Sequence, residues 1–265
     1  MDLRIFSYLP NPRIWKATIT ARLCGITIDV RGTEPQDLSE WLWDFDAHPI
    51  DEGERPGIAA FARQSRMGFG VKQLYKTDSF LVANPFGTVP TAFSPDGSIG
   101  IFESNSIMRA VARLGAAACP LYGEDAYSAS RIDGFLDASL VFSRDAQIYL
   151  LALLAGNVNK DIYESAEAAL HTYLGGLDRA LSPSRSCLVG NSLSIADICV
   201  VSELALFLQE RSHEDTLRDL GLEPITGHVI NEHYPLITNH FRTLCQHEAF
   251  APDVLPYLKK FAIKT

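Results

Sequence analysis

The amino-acid pattern changes character near residue 125, and this change constrains the fold more than any other feature. From Ala126 onward no segment shows strand alternation, whereas apolar residues recur at helical spacing. Three such segments cover residues 132–140, 166–181 and 195–207. Small and turn-forming residues fill the stretch before them. We therefore predict an α/β first domain over residues 1–114, a linker over 115–125 and an all-helical domain over 126–265.

The first domain opens with a strand, a helix and a strand. Leu3–Ser7 is a short apolar run typical of a strand, and helical spacing follows from Ile14 to Leu23. Gly25 stands where a C-terminal helix cap belongs, and Ile26, Ile28 and Val30 then alternate with polar residues. This order predicts a β-α-β unit with parallel strands.

A strand pair and a helix end the first domain. Thr91–Phe93 and Ile99–Glu103 flank a Pro-Asp-Gly turn, which joins antiparallel strands, and Ser104–Leu114 has helical spacing. Residues 33–76 lack a clean period. Since a structureless loop of this length is unusual in a compact domain, we expect an insertion. Within it we predict short helices over Gln36–Phe45 and Gly57–Gln64.

Charge and cysteine content exclude several classes of function. The formal net charge of −9 over 265 residues argues against a nucleic-acid partner. No apolar run reaches the roughly 18–20 residues of a membrane helix, and the N-terminus lacks a signal-peptide pattern. We therefore expect a cytoplasmic protein without a membrane partner. The five cysteines are widely spaced, so neither a metal site nor a disulfide framework is predicted.

The segment Phe102–Ile107 carries the strongest ligand signal. Glu103 ends a strand and Ser104 starts a helix, whose first N–H groups can bind a carboxylate. The Glu103 carboxylate beside them suits an amino group. The alternative is that Ser104 is a plain helix cap.

Two further motifs have structural interpretations. Val89-Pro90 precedes a strand, where proline is tolerated, and the sequence alone does not define its isomer. Ser194 and Asp197 form the serine-x-x-acid pattern of a helix N-terminus, which we interpret as a capping box.

Together, Asn84–Pro90, the turn and Phe102–Ile107 resemble the glutathione-binding half of the glutathione transferase superfamily. Leu188–Gly190 followed by Ser194–Asp197 resembles its helical-domain signature. Within the superfamily, the chain is most similar to the transferase-like domain of elongation factor 1B gamma subunits. The resemblance implies a thioredoxin-like domain followed by an all-helical domain.

The resemblance also implies a site for glutathione. Pro90 is expected to be cis, with the Val89 backbone facing the cysteinyl part of the peptide. Glu103 and Ser104 are expected to hold the γ-glutamyl amine and carboxylate, with Thr88 near the same arm. The glycyl end is usually held from the segment that the insertion replaces, where Lys72 and Gln73 are candidates.

The glutathione sulfur needs a hydrogen-bond donor that favours thiolate. In the family this donor lies near the start of the first helix, where Asn11, Tyr8 and Ser7 are the candidates. Asn11 falls near the position of the hydroxyl in serine-type relatives, and Tyr8 has the most acidic donor. No cysteine occupies this loop, which argues against a thiol-reductase mechanism.

Three functions remain open. The favoured one is a glutathione transferase that conjugates or reduces a small hydrophobic electrophile, with glutathione as co-substrate and no metal. The alternatives are a non-catalytic binding or interaction module resembling elongation factor 1B gamma, and a glutathione-dependent peroxidase. Candidate walls for the electrophile are Tyr8 and, on the helix near residues 131–150, the four residues Phe135, Ser139, Phe142 and Arg144. The resemblance also implies a homodimer.

Overall fold

The computed structural model describes residues 1–65, 73–181, 185–227 and 233–261. The chain divides into two compact units, Met1–Cys119 and Pro120–Thr265. Lys72, one of the candidates for the glycyl end of glutathione, lies outside the described residues.

The first unit contains two four-stranded sheets. In chain order its elements are β1 (Leu3–Tyr8), α1 (Pro12–Cys24), β2 (Ile28–Thr33), β3 (Trp41–Trp43), β4 (His48–Pro49), α2 (Arg55–Ile58), β5 (Ala62–Gln64), β6 (Gln73–Lys76), α3 (Asp78–Ala83), β7 (Thr91–Phe93), β8 (Gly100–Phe102) and α4 (Ser104–Leu114). The main sheet has the order β2-β1-β7-β8. β1 runs parallel to β2, and the β1–β7 and β7–β8 pairs are antiparallel. The predicted β-α-β unit, strand pair and final helix are all present.

Alternation along β1 separates two cores. Leu3 and Ile5 pack with apolar residues of α1 and α4 on one face. Phe6 faces the other way and packs with Trp43 and Phe80, which are fully buried. Successive side chains of a strand point to opposite faces, so Tyr8 joins the Phe6 cluster. The two faces therefore give neighbouring residues of β1 different surroundings.

The insertion differs from the prediction of two short helices. It forms the second sheet, with strand order β4-β3-β6-β5. Helical turns occupy Pro35–Glu40, Arg55–Ile58 and Ala59–Phe61, and Trp41–Trp43 and Ala62–Gln64 are strands. The prediction was right for the first part of each segment and wrong for the second part, because strands of two to four residues are too short to show alternation.

The second unit is helical throughout its described part, as predicted. Its helices are α5 (Ala126–Ala155), α6 (Lys160–Leu181), α7 (Ile195–Phe207), α8 (Glu214–Asp219), α9 (Pro235–Gln246) and α10 (Ala251–Lys259). α5 packs against α6 and α7. By length and composition alone α5 could cross a membrane, but core helices of soluble proteins meet the same criterion.

The start of α7 is held by a buried carboxylate. Asp197 accepts hydrogen bonds from the backbone N–H of Ser194 at 3.0 Å and of Leu188 at 3.0 Å. The Ser194 hydroxyl donates to it at 2.8 Å, and His240 Nε2 lies 2.9 Å from Oδ1. The predicted structural role of the Ser194–Asp197 pattern is confirmed.

Candidate functional site

The predicted ligand residues meet at one end of three adjacent strands. Phe6 of β1 pairs with Thr91 of β7, and Thr91 pairs with Phe102 of β8. Because both pairs are antiparallel, the residues after Phe6, before Thr91 and after Phe102 lie at the same edge of the sheet. Those residues are Ser7 and Tyr8, Val89 and Pro90, and Glu103 and Ser104.

The loop before β7 presents an open backbone edge. The Val89–Pro90 peptide bond is cis, as the resemblance implied. Among the described residues, no hydrogen bond uses the N–H or the C=O of Val89. Val89 is half-buried, so its two backbone groups are placed to pair with an extended ligand.

Hydrogen bonds from side chains to backbone carbonyls fix the loop before β7. Asn84 Nδ2 donates to the Thr88 carbonyl at 2.8 Å, and the Thr91 hydroxyl donates to the same carbonyl at 2.8 Å. The Thr88 side chain is exposed. Gly87 has a φ of +61°, which favours glycine, and its carbonyl accepts a hydrogen bond of 2.6 Å from Lys76 Nζ.

Lys76 was not recognised from the sequence. Its ammonium lies 4.6 Å from the ring centroid of Trp43, and burial lowers its pKa. It joins the second sheet to the loop that presents Val89. Gln73, a candidate for the glycyl end, is exposed on the same strand, β6.

The first turn of α4 has no side-chain cap. Glu103 occupies the N-cap position but its carboxylate accepts no cap hydrogen bond, and Ser104 is the first helical residue. The plain capping role considered for Ser104 is therefore absent. Glu103 is exposed and has a φ of 67° and a ψ of 123°, the sole positive φ outside glycine in the described part of the chain. This backbone conformation thus places an exposed acidic side chain beside the N-terminus of α4.

Buried polar groups lie directly beneath this turn. Lys16 of α1 donates to Ser104 Oγ at 3.2 Å and to Asn105 Oδ1 at 2.7 Å. Lys16 is fully buried and Ser104 is 7% exposed. Sequence reasoning missed Lys16, although a lysine inside an apolar helical stripe was the available signal.

The three candidates for the sulfur occupy different surroundings. Asn11 caps α1, because its Oδ1 accepts the Arg13 N–H at 2.9 Å, and its Nδ2 donates to Ser7 Oγ at 3.1 Å. Asn11 and Ser7 are both buried. Tyr8 is half-buried and packs against the same core cluster as Val89.

Four of the five cysteines are buried, and none of the five lies in the loop before α1. Burial raises the pKa of Cys24 to about 11 and of Cys245 to about 12, so both remain thiols at neutral pH.

Among the residues the structure describes, no group of three or more His, Cys, Asp or Glu could hold a metal ion.

The helical unit contains an apolar groove of 990 Å³ between α5 and α6. Phe135 and Phe142, two candidate walls for the electrophile, line it. Ser139 is buried and donates to the Leu136 carbonyl at 2.6 Å, and Arg144 is exposed. The structure therefore does not bring the four candidates together on one surface.

Comparison with known proteins agrees with this architecture. Residues 133–248 match the model of the glutathione S-transferase C-terminal domain. A glutathione S-transferase-like protein from Lodderomyces elongisporus superposes with a TM-score of 0.67 at 16% identity, over 96% of each chain. A glutathione S-transferase from Methylobacillus flagellatus, solved with GSH bound, gives a TM-score of 0.62 at 15% identity, over 95% of this chain and 98% of that one.

A curated relative points to a second group. Elongation factor 1-gamma of Prunus avium is 35% identical over 134 residues, which are 49% of this chain and 30% of the relative. The chain thus spans about a third of the length of the curated relatives it first matches. The chain has the glutathione transferase fold, and the match to the model of that family's C-terminal domain covers residues 133–248 of the helical unit. The resemblance to the superfamily, with its similarity to elongation factor 1-gamma, is confirmed.

Proposed function

We propose that this chain binds glutathione at the strand ends of the first unit and promotes reaction of its thiol with a small hydrophobic electrophile. The observation that carries the proposal is the unpaired backbone edge of Val89 beside the uncapped first turn of α4. The N–H and C=O of Val89 suit a peptide backbone, and the first turn of α4 suits a carboxylate.

Each part of glutathione has a matching group in this arrangement. The exposed Glu103 carboxylate pairs with the γ-glutamyl ammonium. The γ-glutamyl carboxylate accepts hydrogen bonds from the Ser104 hydroxyl and from first-turn N–H groups. The cysteinyl N–H and C=O pair with the C=O and N–H of Val89, and Thr88 and Pro90 flank this arm. Glutathione is therefore proposed as the co-substrate, in a cytoplasmic protein.

The proposed sulfur donor is Tyr8. Ser7 is fully buried, and Asn11 uses its Oδ1 to cap α1 and its Nδ2 to donate to Ser7 Oγ. Tyr8 lies on the Val89 face of β1, and a phenol is a stronger donor to sulfur than an amide. A hydrogen bond to the thiolate lowers the pKa of the bound thiol and increases the reactive fraction.

Binding is tested by calorimetric titration of the full chain with reduced glutathione. We expect saturable binding, with Ser104→Ala weakening it about tenfold because a charge-assisted hydrogen bond is lost. Ser106→Ala, on the same turn, is the matched control and keeps wild-type affinity. Absence of binding to the wild-type chain, or equal losses in both variants, contradicts this site.

Activation is tested through the ultraviolet absorbance of the bound thiolate against pH. Tyr8→Phe raises the pKa of the bound thiol and slows conjugation of aryl halides, whereas Asn11→Ala mainly destabilises α1 by about 1 kcal/mol. Tyr75→Phe, another half-buried tyrosine of the first unit, is the control. An unchanged thiolate titration in Tyr8→Phe removes Tyr8 from the mechanism.

A non-catalytic binding or interaction module is the second candidate. It is supported by the structural use of Asn11 and Ser7 and by the elongation factor 1-gamma relative. Glutathione binding without turnover of aryl halides, enones or hydroperoxides is the result expected of it. Turnover of hydroperoxides alone is the result expected of a peroxidase.

A further inference from the structure

Lys16 of α1 places an ammonium beside the N-terminus of α4, the end of a helix that disfavours a cation. The N-terminus of a helix carries a positive partial charge, so a cation there is unfavourable and an anion is favourable. Lys16 nevertheless lies fully buried beneath the first turn of α4, with Nζ 2.7 Å from Asn105 Oδ1 and 3.2 Å from Ser104 Oγ. Two sources of positive charge therefore meet at one point of the structure.

The hydrogen bonds of Lys16 also fix the direction of the Ser104 hydroxyl. An ammonium has three donors and no acceptor, so Ser104 Oγ must accept from it. The hydroxyl hydrogen is then left to donate elsewhere, and Ser104 keeps 7% of its surface exposed. Ser104 is thus set up as a donor to an incoming acceptor.

We infer that Lys16 is a positioning residue: its buried ammonium orients the Ser104 hydroxyl and adds positive charge behind the first turn of α4, so that the site selects ligands carrying a carboxylate. The inference rests on the proposed function, because the carboxylate in question is that of the γ-glutamyl group. Lys16 acts through Ser104 and the helix N-terminus, without touching the ligand.

The test compares glutathione with an analogue whose γ-glutamyl carboxylate is converted to an amide. The wild-type chain is expected to prefer glutathione. Lys16→Met is expected to lose about tenfold in affinity for glutathione while binding the amide as before, so the preference falls. Arg22→Met, which removes an exposed cation from the same helix, is the matched control and keeps the wild-type preference.

A merely structural role predicts a different pattern. If Lys16→Met weakens glutathione and the amide equally, or neither, the inference is overturned while the proposed function stands. If the wild-type chain binds no glutathione, the proposed function fails and the inference fails with it. Thermal melts monitored by circular dichroism show which variants are folded.

A second variant covers the case in which Lys16→Met does not fold. Lys16→Gln keeps a donor to Ser104 and removes the charge. Because the donor to Ser104 is kept, this variant tests the charge alone, and its preference for glutathione over the amide is expected to fall in the wild-type and Ser104→Ala backgrounds alike. A preference that Lys16→Gln leaves unchanged in both backgrounds overturns the inference.

Discussion

At the scale of single residues, Glu103 combines a backbone cost with a position in the proposed site. A non-glycine residue with a φ of 67° costs on the order of 1–3 kcal/mol. Its carboxylate forms no cap hydrogen bond that offsets this cost. The conformation instead holds the carboxylate beside the N-terminus of α4, where an ammonium and a carboxylate of one ligand can be bound together.

The strained backbone of Glu103 predicts that a glycine variant gains stability relative to an alanine variant, while both variants lose affinity for glutathione. Glu103→Gly relieves the backbone, whereas Glu103→Ala keeps the Cβ and the strain, so the glycine variant should be about 1 kcal/mol more stable than the alanine variant. Both should lose about tenfold or more in glutathione affinity, since the ammonium loses its carboxylate. Urea denaturation and calorimetry measure the two effects. Equal stability of the two variants would show that the backbone there is unstrained.

The sequence revealed the candidate site residues that are adjacent in the chain. Glu103 and Ser104 are adjacent, as are Val89 and Pro90, so a short motif contains each pair. Lys16 reaches Ser104 across 88 residues, and no local pattern records that contact. Asn11 was ambiguous for another reason, because an asparagine at the start of a helix suits a helix cap as well as a ligand contact.

At the scale of elements, the start of α7 depends on one carboxylate. Asp197 accepts from Ser194, Leu188 and His240 in a fully buried position. Removing the acceptor leaves these donors buried without a partner, and such losses are costly. The capping box was recognisable from the sequence because its members lie three residues apart.

Asp197→Ala should therefore destabilise the chain by about 3 kcal/mol or more, as expected for breaking a buried polar network. Asp125→Ala is the control, because Asp125 caps α5 in the same way but on the exposed surface. Urea denaturation followed by circular dichroism compares the two. A smaller loss for Asp197→Ala than for Asp125→Ala would contradict the role assigned to the buried carboxylate.

The strands of the second sheet could not be predicted from the sequence. Its strands have two to four residues, and β3 pairs with β6 through Leu42 and Tyr75, far apart in the chain. Local pattern cannot identify such pairing, since each strand is stabilised by partners outside its own segment. The long helices were predictable because many turns repeat the same spacing.

At the scale of the whole molecule, α5 exposes a series of apolar side chains. Val141 is 72% and Leu154 is 65% exposed, and Leu140 and Ile148 are also largely accessible. Val141 lines the groove between α5 and α6. Apolar side chains exposed along one helix are typical of interaction sites. Together with the transferase architecture, it supports the proposal of a homodimer.

Sedimentation analysis should accordingly give twice the chain mass of 29.2 kDa. Val141→Glu should shift the protein toward monomer, because a charge in the centre of an apolar interface loses its hydration without gaining a partner. Leu236→Glu, at an exposed apolar position on α9, is the matched control and should stay dimeric. If the wild-type chain sediments as a monomer at micromolar concentration, or if both variants shift equally toward monomer, the homodimer prediction is contradicted.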